Sequence, residues 1–270
     1  MNTIKLYNGV EMPQMGYGVY QVSPEECERC VSDALEVGYR MIDTAQAYHN
    51  EEGVGNAWRK SGIRREDLFL VSKIWISNYG YEKAKASIDE SLRKLHTEYI
   101  DLMLLHQPFC DRYGAYRALI DAYREGKLRA IGVSNFFPDH FIDLASNVEI
   151  KPMVNQVETH VFCQQKQPQK YMEEFGCQIM SWGPLAEGRN GFFTNEGWLK
   201  LEKVTVRAWH KSVSASCCNV EWSSYRSQPT KNAWLRISTS STSNFLPMRW
   251  LASKHSTPGR ACSSTTTMVK

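Results

Sequence analysis

Apolar runs and helical patterns alternate along the first 196 residues of this chain. Runs with the character of buried strands end at about residues 43, 73 and 106. Later runs lie within residues 127–136, 154–158 and 178–185, which makes six strand–helix units in all. Apolar, β-branched strands separated by helices are typical of a parallel sheet with helices outside it. The pattern therefore predicts an α/β fold, and 270 residues fit a single α/β barrel or two small domains.

Two stretches carry clear helix signals. Ser23 and Pro24 form a helix start, with a capping hydroxyl and a proline at the first helical position. Apolar residues then recur at helical spacing until Gly38, which is typical of a helix end. Residues 81–95 predict a second helix, just ahead of another buried strand.

A β-hairpin is predicted before the first helix. Residues 4–7 and 10–12 flank the pair Asn8-Gly9, and such a pair between two short strands is a strong hairpin signal. In a barrel this hairpin would plug the floor.

Polar side chains follow the ends of three predicted strands. Asp43, Lys73 and His106 each end one apolar run, and Tyr48 lies in the loop after Asp43. Taken singly, each has an ordinary structural interpretation: a helix cap, a solvated charge, a buried histidine or a rim tyrosine. In a barrel, however, the carboxyl ends of the strands meet at one mouth, where barrel enzymes carry out their chemistry. A phenol, an ammonium, a carboxylate and an imidazole gathered there suit proton donation to a carbonyl group.

Composition excludes several other classes of protein. The apolar fraction of 42% is ordinary, and no apolar run has the length of a membrane span. The N-terminus lacks an apolar stretch of the signal-peptide type. The eight cysteines show no zinc-ligand spacing, and the C-x-x-C formed by Cys27 and Cys30 lies in a helical stretch without a second pair. We therefore expect a cytoplasmic protein with no metal and no membrane contact.

Several longer segments resemble the aldo-keto reductase family. Residues 43–51, Asp-Thr-Ala-Gln-Ala-Tyr-His-Asn-Glu, resemble its signature segment. Residues 102–108, 127–136, 154–158 and 178–185 then resemble its later strands, in the expected order. The resemblance runs from about residue 4 to about residue 196, and within the family it is to bacterial diketogluconate and glyoxal reductases. It implies a (β/α)8 barrel and the reduction of small aldehydes or ketones by a monomeric, NADPH-dependent enzyme.

The resemblance also implies a role for each of the four strand-end residues. Tyr48 would donate the proton to the carbonyl oxygen. Lys73 would favour the ionised phenol, and Asp43 would hold Lys73 charged and in place. His106 would hydrogen-bond and orient the carbonyl oxygen.

The cofactor and substrate residues are likewise implied by resemblance. The chain lacks a G-x-G-x-x-G after a first strand, so a Rossmann-type site is not indicated. Asn and Gln side chains often only connect loops, and a Trp can simply be a core residue. The cofactor roles implied for such residues here therefore depend on their shared place at the ends of strands. The implied cofactor contacts are Asp43, Ser134, Asn135, Gln156, Trp182, Gly183, Pro184, Leu185 and Gly188. The implied substrate contacts are Val19, Tyr20, Trp75, His106 and Phe109.

Residues 197–270 do not continue the pattern. They contain eleven Lys or Arg but only two acidic residues, Glu202 and Glu221. The basic residues are dispersed rather than clustered, so nucleic-acid binding is not indicated.

The genetic code offers another explanation for this tail. Suppose that the tail is translated in the wrong frame, so that each true codon joins the last base of one codon to the first two bases of the next. Codons compatible with residues 229–237 can then encode Thr-His-Lys-Glu-Arg-Met-Ala-Glu-Asn, a segment that the family would have here. Other stretches of the tail do the same in order. We therefore divide the chain into a barrel part, residues 1–196, with the hairpin and six β/α units, and a frame-shifted tail, residues 197–270, that we expect to be poorly ordered. Strands seven and eight of the barrel would then be missing or scrambled. The alternative function is an inactive or misfolded family member that lacks the adenosine-phosphate half of the cofactor site.

Overall fold

A parallel sheet wrapped by helices forms the body of the molecule. The computed structural model describes residues 2–192 and, further along, the backbone of residues 220–221. Neighbouring parallel strands follow one another in chain order, so each crossover connects a strand to its immediate neighbour. The strands are β3 (Tyr17–Gly18), β4 (Met41–Asp43), β5 (Phe69–Ile74), β6 (Leu102–Leu105), β7 (Ile131–Ser134), β8 (Val154–Glu158) and β9 (Gln178–Trp182).

Helices cross between these strands, as the sequence predicts. Within residues 2–192, four short 3-10 helices lie in the loops, and two of them border the site: Gln46–Tyr48 and Ile76–Asn78. The α-helices are α1 (Pro24–Glu36), α2 (Glu51–Lys60), α3 (Tyr81–Lys94), α4 (Arg112–Arg124), α5 (Pro138–Asn147) and α6 (Lys166–Glu174).

The predicted helix signals are confirmed. The Ser23 hydroxyl accepts a hydrogen bond from the backbone N–H of Glu26, Pro24 opens α1, and Gly38 follows the helix with φ +105°. Only glycine takes that conformation without strain. The helix predicted over residues 81–95 is α3, and it ends one residue earlier.

The predicted hairpin is also confirmed, as β1 (Thr3–Lys5) and β2 (Glu11–Pro13) paired antiparallel. Its turn reaches the segments that lead into β7 and β8. The Tyr7 hydroxyl donates to the carbonyl of Lys151 at 2.6 Å, and the Asn8 amide donates to that of Arg129 at 2.9 Å. The hairpin thus lies at the amino ends of the strands, opposite the edge that carries the candidate site.

The sequence count of six strand units is one short. The structure has seven parallel strands between Tyr17 and Trp182, and the uncounted one is β3. Two residues are too few to show an apolar run, so β3 gives no periodic signal. A further two-residue strand, β10 (Val220–Glu221), pairs in parallel with β3. The frame slip and the poor order expected for the tail otherwise lie outside the described residues.

Strands β7 and β8 approach so closely that the sequence requires a glycine. A Cβ atom on Gly132 would lie 2.3 Å from the carbonyl oxygen of Val154 and 2.9 Å from a methyl group of Leu104. Any side chain at position 132 would therefore push β7 away from β8 and displace the residues that follow both strands.

Two absences can be stated for the described residues. No helix among them is long and apolar enough to cross a membrane. No group of three or more His, Cys, Asp or Glu side chains within this part of the chain could hold a metal ion.

Candidate active site

The four strand-end residues meet at the carboxyl edge of the sheet. Asp43 ends β4, Lys73 lies at the penultimate position of β5, and His106 directly follows β6. Tyr48 ends the 3-10 turn that follows β4. Because neighbouring parallel strands end at the same edge, residues far apart in the chain become neighbours here.

Asp43 and Lys73 form a buried ion pair. Their side chains are each 1% exposed, and Lys73 Nζ lies 2.5 Å from Asp43 Oδ1. The ammonium also donates to the carbonyl of Thr44 at 2.9 Å, and the second oxygen of Asp43 accepts from Gln156 Nε2 at 2.6 Å. A buried pair needs such additional hydrogen bonds to offset the loss of water. These contacts therefore fix the Lys73 ammonium in place.

That charge lies beside the phenol of Tyr48. Lys73 Nζ is 3.4 Å from the Tyr48 hydroxyl oxygen and 5.0 Å from the centre of the ring. A cation at this distance stabilises the phenolate that remains when the hydroxyl gives up its proton. Tyr48 is only half-buried, so its hydroxyl can meet a small molecule at the mouth of the sheet.

His106 is a neutral imidazole at this site. Burial, and to a smaller degree the charge of Lys73, hold the pKa of His106 well below its usual 6.5. Its Nδ1 atom is buried and has no hydrogen-bond partner among the described residues. The ring packs edge-on against those of Tyr48 and Trp75, with centroids at 5.7 and 5.0 Å. A neutral imidazole has one N–H to donate, which suits an uncharged carbonyl oxygen.

The predicted cofactor residues of three neighbouring strands form one hydrogen-bonded chain. The Trp182 indole donates to Asn135 Oδ1 at 2.8 Å, and the Asn135 amide donates to the Ser134 hydroxyl at 3.2 Å and to the carbonyl of His106 at 3.1 Å. The Ser134 hydroxyl donates to the carbonyl of Gln156 at 3.0 Å. Gln156 in turn bonds Asp43, so the chain of polar groups runs directly into the buried ion pair.

The loop after β9 turns sharply beside Trp182. Gly183 and Gly188 have φ values of +60° and +71°, and Ala186 and Glu187 between them also have positive φ. Pro184 and Leu185 lie within the turn, and Leu185 is buried. Four positive-φ residues close together make a compact loop, and backbone hydrogen bonds from Ala186 to Gly183 and from Gly188 to Leu185 hold it.

The predicted substrate residues fall into two groups. Tyr20 and Trp75 border Tyr48 and His106: the Tyr20 ring lies 5.1 Å from that of Tyr48, and Trp75 packs on His106. Phe109 is about half exposed in the loop after β6. Val19 is fully buried, and its backbone N–H donates to the carbonyl of Asp43 at 3.0 Å. The structure therefore buries Val19 beside Asp43 and brings the rings of Tyr20 and Trp75 to Tyr48 and His106.

One residue important to the site was missed by the sequence reasoning. Asn50 is buried, and its amide donates to the carbonyls of Val19 and Val22 at 3.0 and 3.1 Å. Its oxygen accepts from the Thr44 hydroxyl at 2.7 Å. Asn50 thereby joins the loop after β3 to the loop that carries Tyr48. Its place inside the signature segment, residues 43–51, was the available signal.

Comparison with known proteins agrees with this geometry. The model of the Aldo/keto reductase family matches residues 6–230, and the chain belongs to that family of NAD(P)H-dependent oxidoreductases. Glyoxal reductase of Bacillus subtilis (strain 168) is 47% identical over 190 residues, which are 70% of this chain and 69% of that protein. Methylglyoxal reductase DkgA of Escherichia coli (strain K12) is 42% identical over 193 residues, 70% of each chain.

Solved structures show the same fold. An aldo/keto reductase from Brucella melitensis superposes with a TM-score of 0.82 at 32% identity, covering 91% of this chain and 95% of that one. A Bombyx mori aldo-keto reductase in complex with NADP gives a TM-score of 0.81 at 24% identity, covering 91% and 89%. At that identity the second likeness shows the fold alone.

Proposed function

We propose that this chain reduces the carbonyl group of small aldehydes or ketones to an alcohol with NADPH, with Tyr48 as the proton donor. The observation that carries the proposal is the Tyr48 hydroxyl, placed 3.4 Å from a buried, charge-paired Lys73 and across from the neutral ring of His106. The relatives named glyoxal reductase and methylglyoxal reductase favour small aldehydes with a neighbouring carbonyl group as substrates.

The described residues fit the nicotinamide half of such a cofactor. Asn135 and Trp182 are only half-buried, so the Asn135 amide can meet a carboxamide and the Trp182 ring can stack on the nicotinamide. Ser134 and Gln156 carry the same kinds of group in the buried layer beneath them. The compact loop of residues 183–188 would pass beside the pyrophosphate. NADPH, when bound, supplies a hydride to the carbonyl carbon.

The protein's own groups then have distinct tasks. His106 donates a hydrogen bond to the carbonyl oxygen and so fixes the position of that atom. As the carbonyl carbon gains its hydrogen, the O–H bond of Tyr48 breaks and a new O–H bond forms on the substrate, which completes the alcohol. The phenolate left behind is stabilised by the ammonium of Lys73, which Asp43 holds in place.

Replacing Tyr48 with phenylalanine tests this assignment. Tyr48→Phe removes only the transferable proton, so turnover should fall roughly 100-fold or more while cofactor binding stays nearly unchanged. Tyr171→Phe is the matched control, since it makes the same substitution in helix α6, outside the site, and should keep wild-type turnover. Equal turnover in Tyr48→Phe and wild type would remove Tyr48 from the mechanism.

A second candidate is a non-catalytic family member with an out-of-frame tail. In the family, a Lys, a Ser and an Arg bind the 2′-phosphate of NADPH, and by resemblance they would fall within residues 225–234. The residues at those positions do not match them, so none is assigned this role. The relatives' similarity covers about 190 residues, close to the 196 that precede the inferred slip, although the family match continues to residue 230. The nucleotide sequence across codons 194–200 discriminates: an intact frame there removes this candidate.

The monomeric state and cytoplasmic location also remain predictions, and sedimentation of the purified chain tests the first.

A further inference from the structure

Gln46 uses its whole amide in four hydrogen bonds close to the site. Its Nε2 donates to the carbonyl of Ser87 and to the hydroxyl of Ser91, both at 3.1 Å. Its Oε1 accepts from the backbone N–H of Trp75 at 3.0 Å and from the Asn78 amide at 2.9 Å. An amide offers two donors and two acceptor positions, so no hydrogen-bonding capacity is left over.

These bonds join the two segments that enclose His106. Gln46 opens the 3-10 turn that Tyr48 ends, and Trp75 precedes the 3-10 turn Ile76–Asn78 after β5. The rings of Tyr48 and Trp75 pack edge-on against the imidazole, at interplanar angles of 76° and 75°. Gln46 therefore links the backbones that carry the two flanking rings, and it anchors both to helix α3 through Ser87 and Ser91.

Packing alone does not hold these segments. A half-open pocket of about 410 Å³ borders them, and its lining includes Gln46, Trp75, Asn78 and Ser91. A loop that borders an open space can relax into it once its polar ties are removed, because few side-chain contacts oppose the movement.

This position needs a side chain that both accepts and donates hydrogen bonds. The N–H of Trp75 requires an acceptor and the carbonyl of Ser87 requires a donor, which also fixes the orientation of the Gln46 side chain. A glutamate would supply acceptors alone, and a lysine or arginine donors alone. An apolar residue would leave the Trp75 N–H without its hydrogen-bond acceptor.

From these contacts we propose that Gln46 is a positioning residue: it sets where Tyr48 and Trp75 stand around His106 and thereby tunes how the carbonyl substrate is held. The kinetic part of this inference rests on the proposed function, whereas the structural part does not. A small displacement of a catalytic group is enough to slow a reaction markedly.

Amide hydrogen exchange tests the structural part in the 270-residue chain. Gln46→Met keeps the approximate length of the side chain and removes all four bonds, so exchange at the Trp75 amide should rise roughly 3- to 10-fold, as expected for one lost hydrogen bond. Gln46→Glu retains the acceptor and should leave Trp75 protected. Gln169→Met is the matched control, since Gln169 makes one exposed contact, to Glu173 in α6. Equal exchange at Trp75 in Gln46→Met and wild type would overturn the inference.

Steady-state kinetics test the functional part with the same proteins. In Gln46→Met, kcat/KM for a small aldehyde should fall at least about 10-fold with a raised KM for the aldehyde and an unchanged KM for NADPH. A merely destabilising change would lower the active fraction and leave both KM values as they were, and that result would refute the positioning role. If wild-type chain reduces no carbonyl, the proposed function fails, and hydrogen exchange still decides whether Gln46 holds the two segments.

Discussion

Replacing Asp43 with asparagine removes one half of the buried ion pair while preserving the shape of the side chain. Asp43 now satisfies two donors, Lys73 Nζ through Oδ1 and Gln156 Nε2 through Oδ2. Asparagine has only one oxygen. Whichever donor faces it, the other will face an NH₂ group, so one hydrogen bond is lost and replaced by a contact between two donors.

The expected cost follows from burial. Lys73 is 1% exposed and cannot regain water, and its remaining partners are the carbonyl of Thr44 and the phenol of Tyr48. Breaking a buried ion pair by removing one partner costs about 3–5 kcal/mol. Total stabilities of domains are only about 5–15 kcal/mol. Asp43→Asn should therefore lose a large part of the free energy of unfolding.

Urea unfolding at neutral pH measures this loss, with a double-mutant cycle as the control. Adding Lys73→Met to Asp43→Asn removes the stranded charge, so the double variant should be less destabilised than the sum of the two single variants. A loss of less than about 1 kcal/mol in Asp43→Asn would show that the pair is not isolated from water, and the account of a fixed positive charge beside Tyr48 would fail.

Three further predictions concern other groups. Burial lowers the pKa of His106 in the folded chain, so the unfolded chain takes up a proton first as pH falls below about 6.5. The free energy of unfolding should therefore drop below that pH, and the drop should be smaller in His106→Gln. The value of kcat/KM should show no inflection near pH of about 6.5. Asp101→Ala should lower the free energy of unfolding by about 3–5 kcal/mol in urea titrations. The reason is that this fully buried carboxylate accepts hydrogen bonds from Arg65, Arg129 and the N–H of Leu70. A loss below about 1 kcal/mol, as for a solvent-exposed ion pair, would contradict this. In a fluorescence titration, the 270-residue chain should bind NADPH more weakly than low micromolar, because each missing charge-assisted bond to the phosphate is worth roughly 1.5–3 kcal/mol. Restoring the frame by one base should tighten binding. Low-micromolar affinity in the chain as it stands would refute the argument.

Much of the fold could be predicted because its signals are local. The capping hydroxyl of Ser23 and the glycine after α1 act within a few residues of the helix they bound. The strands that end at Asp43 and Lys73 are buried along their whole length, which gives continuous apolar runs. By contrast, β3 has two residues and draws its stability from pairing with β4, so no sequence window reveals it.

The candidate site could be predicted only in part, for a related reason. Strand ends converge in any parallel sheet, so Asp43, Lys73 and His106 could be expected to meet. The partners of Gln46 lie 29 to 45 residues away, on a loop and a helix whose placement depends on the whole fold. Likewise, the burial of Val19 reflects packing beneath the loop of Asn50 and leaves no trace in the local pattern.

The central claim is that this mouth of the sheet reduces a carbonyl group with hydride from NADPH and a proton from Tyr48. NADPH deuterated at the transferable position of the nicotinamide, incubated with the 270-residue chain and methylglyoxal, tests it most directly. The account predicts an alcohol that carries deuterium on the former carbonyl carbon, formed at a normal rate by Tyr171→Phe and roughly 100-fold more slowly by Tyr48→Phe. Product without deuterium, or equal rates in the two variants, would contradict it.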